Sequence, residues 1–209
     1  MRMSGDPGPS AERRSGRAAL VPPSETLNAD GLLLRRWRTG DASAVTSAVR
    51  ESLPHLKQWM PWATEEYDRN ASAEFIANSI RQWDDREAFN YGVYGAGRGV
   101  LGGVGLMTRQ GPGILEIGYW VHVRHVRRGI ATRAAAALTA AGLAVDGIDL
   151  IEIHHNVDNA ASGAVPAKLG FTKLEERTTD SGERVVVWQL HAADFPRSGV
   201  PDALGQRRY

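Results

Sequence analysis

Two periods alternate along this chain. Short runs of β-branched and aromatic residues, several alternating with small or polar ones, lie at 32–37, 89–94, 100–108, 114–121, 148–154, 171–177 and 183–191. They predict seven strands. GAGRG at 95–99, Gln-Gly-Pro-Gly at 110–113 and Asp-Ser-Gly at 180–182 read as the turns between neighbours. Elsewhere the spacing is helical. Asp41 suits the N-cap of a helix running through Ser52. Ser72 suits the cap of a longer one, in which Phe75, Ile76, Ile80 and Trp83 share a face. An alanine-rich helix is expected over 128–145, and Asn159 opens another to Leu169. Residues 54–62, PHLKQWMPW, read as short irregular or helical structure. The order β-α-α-β-β-β-α-β-α-β-β implies a mixed sheet with helices on both faces, α/β or α+β, without internal repeats.

The ends break the pattern. Residues 1–28 and 196–209 are rich in Gly, Pro, Ser and Arg and poor in large apolar side chains. They read as disordered tails around one folded domain over 29–195, with a partner segment as the alternative for 196–209. The chain is 42% hydrophobic and 23% charged, normal for a globular protein. Its net charge of +1 gives no reason to expect nucleic acid or an anionic membrane as partner. The absence of cysteine excludes disulfides, thiolate metal ligands and a thiol nucleophile. No apolar run approaches a membrane span or the middle of a signal peptide, so the cytoplasm is the expected compartment.

The most informative stretch is 118–133, GYWVHVRHVRRGIATR, a strand passing through a basic loop into the alanine-rich helix. A helix start carries unpaired N–H groups and partial positive charge. Beside Arg124, Arg127 and Arg128 it can hold an anion such as a pyrophosphate, and Gly129 lets the backbone approach closely. A turn glycine beside a solvated basic face would read the same way. His122, His125, His154 and His155 lack a metal-binding spacing, so no metal is expected.

EIGYWVHVRHVRRGIATRAAAAL, followed by IEIHHNVDNAASGAVPAKLGF, resembles the GNAT superfamily of acyl-CoA N-acyltransferases. It is most similar to the RimJ/RimL-like branch, which includes acetyltransferases acting on ribosomal-protein N-termini. The likeness covers roughly residues 30–193. It implies a mostly antiparallel seven-stranded sheet, splayed between its fourth and fifth strands, with acetyl-CoA as co-substrate. By resemblance, Arg127, Arg128, Gly129, Ile130, Ala131 and Thr132 bind the coenzyme A pyrophosphate. The pantetheine arm would pair like an added strand along Val121, His122 and Val123, and an N–H near Val121 would stabilise the oxyanion. Asn159 would cap its helix and reach the pantetheine. The family pattern has Arg or Gln where this chain has Val126, and Arg127 is the candidate substitute. Many relatives use a tyrosine as general acid near position 166, here Pro166. The branch substitutes a first-turn serine, here Ser162, which otherwise reads as a helix hydroxyl bonding back to the main chain.

An attacking amine must shed a proton. Glu116 shares the phase of Gly118 and Trp120 in the fourth expected strand and is the base candidate, with a solvent-facing strand residue as the alternative. Tyr119 reads as a core residue or as an orienter of the thioester. Trp59 and Trp62 are expected to wall the acceptor site or to pack on the sheet, and His55 to bind acceptor or lie on the surface. Together these imply an N-acetyltransferase acting by direct attack on a primary amine, either a protein N-terminus or a small molecule. The rival is a non-catalytic acyl-CoA-binding or interaction module, and a homodimer fits either reading. Nucleic-acid binding through the arginine-bearing tails is the weakest reading.

Overall fold

The computed structural model describes residues 20–97, 99–179 and 182–195. Of the tails expected over 1–28 and 196–209, residues 1–19 and 196–209 lie outside the described residues. The strands are β1 Thr26–Ala29, β2 Leu32–Arg36, β3 Ala88–Tyr94, β4 Val100–Met107, β5 Ile114–Val121, β6 Leu150–Asn156, β7 Thr172–Thr178 and β8 Arg184–His191. The helices are α1 Ala42–Leu56, α2 Arg69–Asp84, α3 Ile130–Leu143 and α4 Ala160–Lys168. One 8-stranded sheet has the order β1-β2-β3-β4-β5-β6-β8-β7. Every neighbouring pair is antiparallel except β5–β6, which is parallel. A parallel pair needs a crossover, and α3 supplies it.

The mixed, mostly antiparallel sheet is as expected, with one strand more than the seven anticipated. The extra strand is β1, whose start at Thr26 falls inside the stretch read as a tail. It pairs with β2 across a two-residue turn, Asp30 and Gly31, both at positive φ (45° and 79°). That geometry matches the twist of a hairpin.

Two cores sandwich the sheet. On one face α3 lays Ala134, Ala135 and Leu138 on Leu34, Phe89, Leu106, Leu115, Ile117, Ile151 and Ile153. Alanines let this helix sit close, and each large aliphatic buried there contributes about 1.5–3 kcal/mol. On the other face α1 and α2 pack Val45, Val49, Leu53 and Ile76 around Trp37 and Tyr94.

Two helix starts differ from expectation. Asp68, not Ser72, caps α2, accepting the Ala71 N–H at 2.8 Å. Ser72 is buried one turn further on, where its hydroxyl accepts from Thr46 Oγ1 at 2.9 Å. Asp41 occupies the N-cap position of α1 without capping it through its side chain. Its carboxylate instead pairs with Arg35 at 2.9 Å and accepts the Arg38 N–H at 2.8 Å. Helix α1 also runs on through Pro54 to Leu56 instead of ending at Ser52.

Candidate active site

The sheet opens between β5 and β6. Their pairing runs from Ile114↔Leu150 to Ile117↔Ile153 and stops. Beyond that point β5 stays on β4 as far as Val121, while β6 stays on β8 as far as Asn156. The His122 N–H continues the β4 ladder, bonding Leu101 O at 2.8 Å. Since backbone groups alternate along a strand, Gly118 and Trp120 turn theirs to β4, and Tyr119 and Val121 turn theirs into the split.

Of the three backbone positions expected along the split, Val121 therefore faces it. His122 does not: its carbonyl accepts from His125 N at 2.8 Å, and its Nδ1 accepts from Arg124 N at 3.1 Å. Burial, with His125 and Arg124 adding to it against the opposing pull of Glu51, holds this imidazole below its ordinary value. The Val123 N–H is also taken, by the fully buried Ser52 hydroxyl at 3.0 Å. These bonds tie the loop to α1.

The loop ends in a backbone fit for an anion. Arg127 and Gly129 both have left-handed φ, 60° and 72°. Gly129 is the N-cap of α3, and no side chain caps that helix. The first helical bond runs from Arg133 N to Gly129 O at 3.0 Å, so the N–H groups of Ile130, Ala131 and Thr132 precede the ladder. Ile130 buries its side chain in the α3 core. Arg127 and Arg128 are exposed, and a Cβ added at Gly129 would meet nothing within 4 Å. Donors, charge and room thus coincide, and the residues present fit a coenzyme A pyrophosphate.

Helix α4 flanks the other side. Asn159 caps it, with Oδ1 accepting Ser162 N at 3.1 Å, so its amide nitrogen remains to reach outward. Pro166 lies inside this helix, four residues after Ser162. It lacks the N–H that would bond the Ser162 carbonyl. The Tyr119 hydroxyl fills that place, donating to Ser162 O at 3.0 Å and lying 3.0 Å from Ser162 Oγ. A carbonyl only accepts, so the single phenol proton goes there and the Ser162 hydroxyl donates towards Tyr119 Oη. Burial pushes the Tyr119 pKa up to about 12, keeping it a donor.

The opposite face of the split is polar. Glu116 is only 2% exposed and points to the face of Gly118 and Trp120, the phase expected from the sequence. Both its oxygens are engaged, however. Arg109 holds it bidentately, and Gln110 Nε2 donates at 2.5 Å. Burial alone would raise its pKa; the Arg109 hydrogen bonds and charge, with His154 and Gln110, outweigh burial and leave it lowered. Opposite it on β6, buried Glu152 accepts from Gln189 at 2.8 Å and contacts His154 Nε2 at 2.7 Å. Trp120 continues this face. Its indole overlies Gly103, where any Cβ would collide with it, and meets Trp62 edge-on at 6.3 Å. Trp62, 43% exposed, also contacts Tyr67 at 5.8 Å, so it forms an aromatic wall. Trp59 is half-buried in the turn after α1, and His55 half-buried in the last turn of α1. Sequence reasoning missed Arg109, Glu152, His154 and Trp120. The signal was there for two of them: Glu152 and His154 alternate with core isoleucines in β6. Among the described residues, no cluster of His, Asp or Glu could hold a metal ion.

A family model described as an acetyltransferase (GNAT) domain matches residues 31–172. No protein of curated function matches the sequence. Among solved structures, Mycobacterium smegmatis RimJ in complex with CoA-disulfide has 20% identity and TM-score 0.70, covering 85% of this chain and 89% of that one. A Salmonella typhimurium acetyltransferase, which modifies the N-terminal serine of ribosomal protein L7/L12, has 19% identity and TM-score 0.69, covering 80% and 99%. The microcin C7 self-immunity acetyltransferase MccE, in complex with acetyl-CoA and AMP, has 20% identity and TM-score 0.70, covering 78% and 93%.

Proposed function

The chain belongs to the GNAT acetyltransferase family, and from that premise we propose that it carries the acetyl group of acetyl-CoA to the terminal amine of a peptide or protein by direct attack. The observation that carries this reading is the split: an anion-fitting helix start serves one face and a polar, aromatic-walled cleft the other. In this reading the backbone at Arg127 to Thr132 holds the pyrophosphate. Val121, with Tyr119, pairs with the pantetheine, and the Asn159 amide assists. The amine enters past Trp62 and Trp120, with Trp59 and His55 at the outer rim. Its nitrogen forms a bond to the thioester carbon, and the carbon–sulfur bond breaks. The amine proton passes to the carboxylate–imidazole cluster around Glu116, and the departing thiolate takes a proton from Ser162, which regains one from solvent water. The Val121 N–H steadies the transient oxyanion.

Similarity to proteins that modify ribosomal N-termini supports a peptide acceptor in the cytoplasm. The test pairs two measurements. Acetyl-CoA should raise the melting temperature progressively, by about 2.7 kcal/mol of stability at a hundredfold excess over Kd. A pentapeptide with N-terminal serine should then release coenzyme A thiol. No thermal shift at millimolar acetyl-CoA refutes the cofactor assignment. A shift without thiol release, from this peptide or from a panel of small amines, refutes acetyl transfer.

A further inference from the structure

We propose that His154, rather than the Glu116 carboxylate beside it, takes the proton from the attacking amine. The inference rests on the acetyl-transfer reading and names the base within it. In register, His154 follows the last β5–β6 pair, Ile117↔Ile153, so it stands beside Gly118 where the strands part. It shares a face with Glu152, opposite the core isoleucines Ile151 and Ile153. Gly118 leaves the floor in front of the ring without a side chain; a Cβ there would meet only Met107 Cε, at 3.0 Å.

The charged groups around the ring come from four places. Glu152 on β6 lies 2.7 Å from Nε2, and Glu116 on β5 lies 3.8 Å from Nδ1. Arg177 on β7 rests against the ring, its Nη2 3.2 Å from Nε2 and 3.5 Å from Nδ1, too evenly shared to be a directed bond to either. Arg109, after β4, neutralises Glu116. On β8, Gln189 holds the second oxygen of Glu152. A carboxylate at 2.7 Å accepts only, so Nε2 keeps its proton whichever charge the ring carries, and Nδ1, once deprotonated, presents its lone pair. The 3.8 Å between Nδ1 and Glu116 is too long for a hydrogen bond. A nitrogen placed about 2.9 Å from both would instead bridge them, as an amine does when it gives one N–H to each.

The two carboxylates cannot easily do this work themselves. Glu116 has both oxygens on Arg109 with Gln110 added, and Glu152 has one on His154 and the other on Gln189. They are positioning residues: Glu152 fixes the tautomer and Glu116 orients the amine. The proton then moves from amine nitrogen to Nδ1, giving an imidazolium flanked by two carboxylates, and leaves to water after the thiolate has departed.

The test uses the full chain, acetyl-CoA and the N-terminal serine pentapeptide. His154→Gln should lower kcat/KM about a hundredfold near pH 7. The defect should shrink towards pH 9, where a peptide amine of pKa about 7.7–8.0 is already neutral. Acetyl-CoA affinity should be unchanged. A defect equal at every pH, or no defect, overturns the proposal. Should wild type fail to acetylate the peptide, the acceptor assignment falls, and the ring is judged without it. In 15N-histidine NMR spectra, the signal lost in His154→Gln must report the Nε2-protonated tautomer in the ring's neutral form. A neutral ring protonated on Nδ1 overturns the proposal.

Discussion

The sharpest consequence of the α4 geometry is a coupling between two residues on different elements. Pro166 removes the donor for the Ser162 carbonyl, and the Tyr119 hydroxyl replaces it at 3.0 Å. Tyr119→Phe should therefore lose one hydrogen bond, worth about 1 kcal/mol net, and strand a partly buried carbonyl at about 1–3 kcal/mol. We expect about 2 kcal/mol in total, a fall in melting temperature of roughly 6 °C for a domain of this size. In a Pro166→Ala background the helix recovers its N–H, so the carbonyl keeps a partner and Tyr119→Phe should cost about 1 kcal/mol or less. The cycle is read by urea denaturation of the four proteins, and the coupling is the difference between the two Tyr119→Phe costs. Turnover should behave otherwise. The Ser162 hydroxyl loses the phenol that positions it in both backgrounds, so thiol release should fall in both, towards the level of Ser162→Ala. Equal Tyr119→Phe costs with and without Pro166 would refute the substitution argument. Full recovery of turnover by Pro166→Ala would refute the hydroxyl's role.

Two further outcomes follow from the site. Gly129→Val should weaken acetyl-CoA binding by isothermal titration while leaving the fold: the space in front of Gly129 is open, so the cost to folding is about 1–2 kcal/mol for a left-handed side chain, and the larger effect is on phosphate approach. Arg109→Met should destabilise the protein by about 3 kcal/mol at pH 7, the low end for breaking a buried pair because the arginine is 61% exposed. The folded Glu116 pKa lies below its ordinary 4.5, so its contribution is present above that value and is lost as the pH falls through the lowered one. Wild type and Arg109→Met should therefore converge in melting temperature as the pH falls through the lowered Glu116 pKa, and a constant gap across pH would show that Arg109 does not act through the Glu116 charge.

How far the chain could be read in advance depended on where the physics is local. Strand and helix periods report burial of one face, and β2 to β8 and all four helices follow them. β1 escaped because four residues, TLNA, carry too little period, although Asp30-Gly31 was a hairpin signal of the strongest kind. Ser72 suits a cap by residue type, but Asp68, four residues earlier, has the same chemistry and fits the bend entering α2. Propensity says which residues can cap; where the chain turns decides which one does.

The cofactor half and the acceptor half of the site differ in the same way. In the proposed reading a pyrophosphate is held by consecutive main-chain groups at one helix start, so a contiguous motif announces it. The acceptor cleft is assembled from β4–β5, β5, β6, β7 and β8, and no contiguous stretch records that Arg109, Glu116, Glu152, His154 and Arg177 meet. Glu116 drew notice because a charge in a central strand is costly, and that reasoning found the right face. What it could not supply was the compensating partner. A buried carboxylate must find a cation, and once Arg109 is that cation the carboxylate is stabilised as an anion and becomes a poor acceptor of protons. The same burial that makes Glu116 conspicuous thus passes the proton chemistry to its neighbour, the imidazole that Glu152 orients at the point where the strands part.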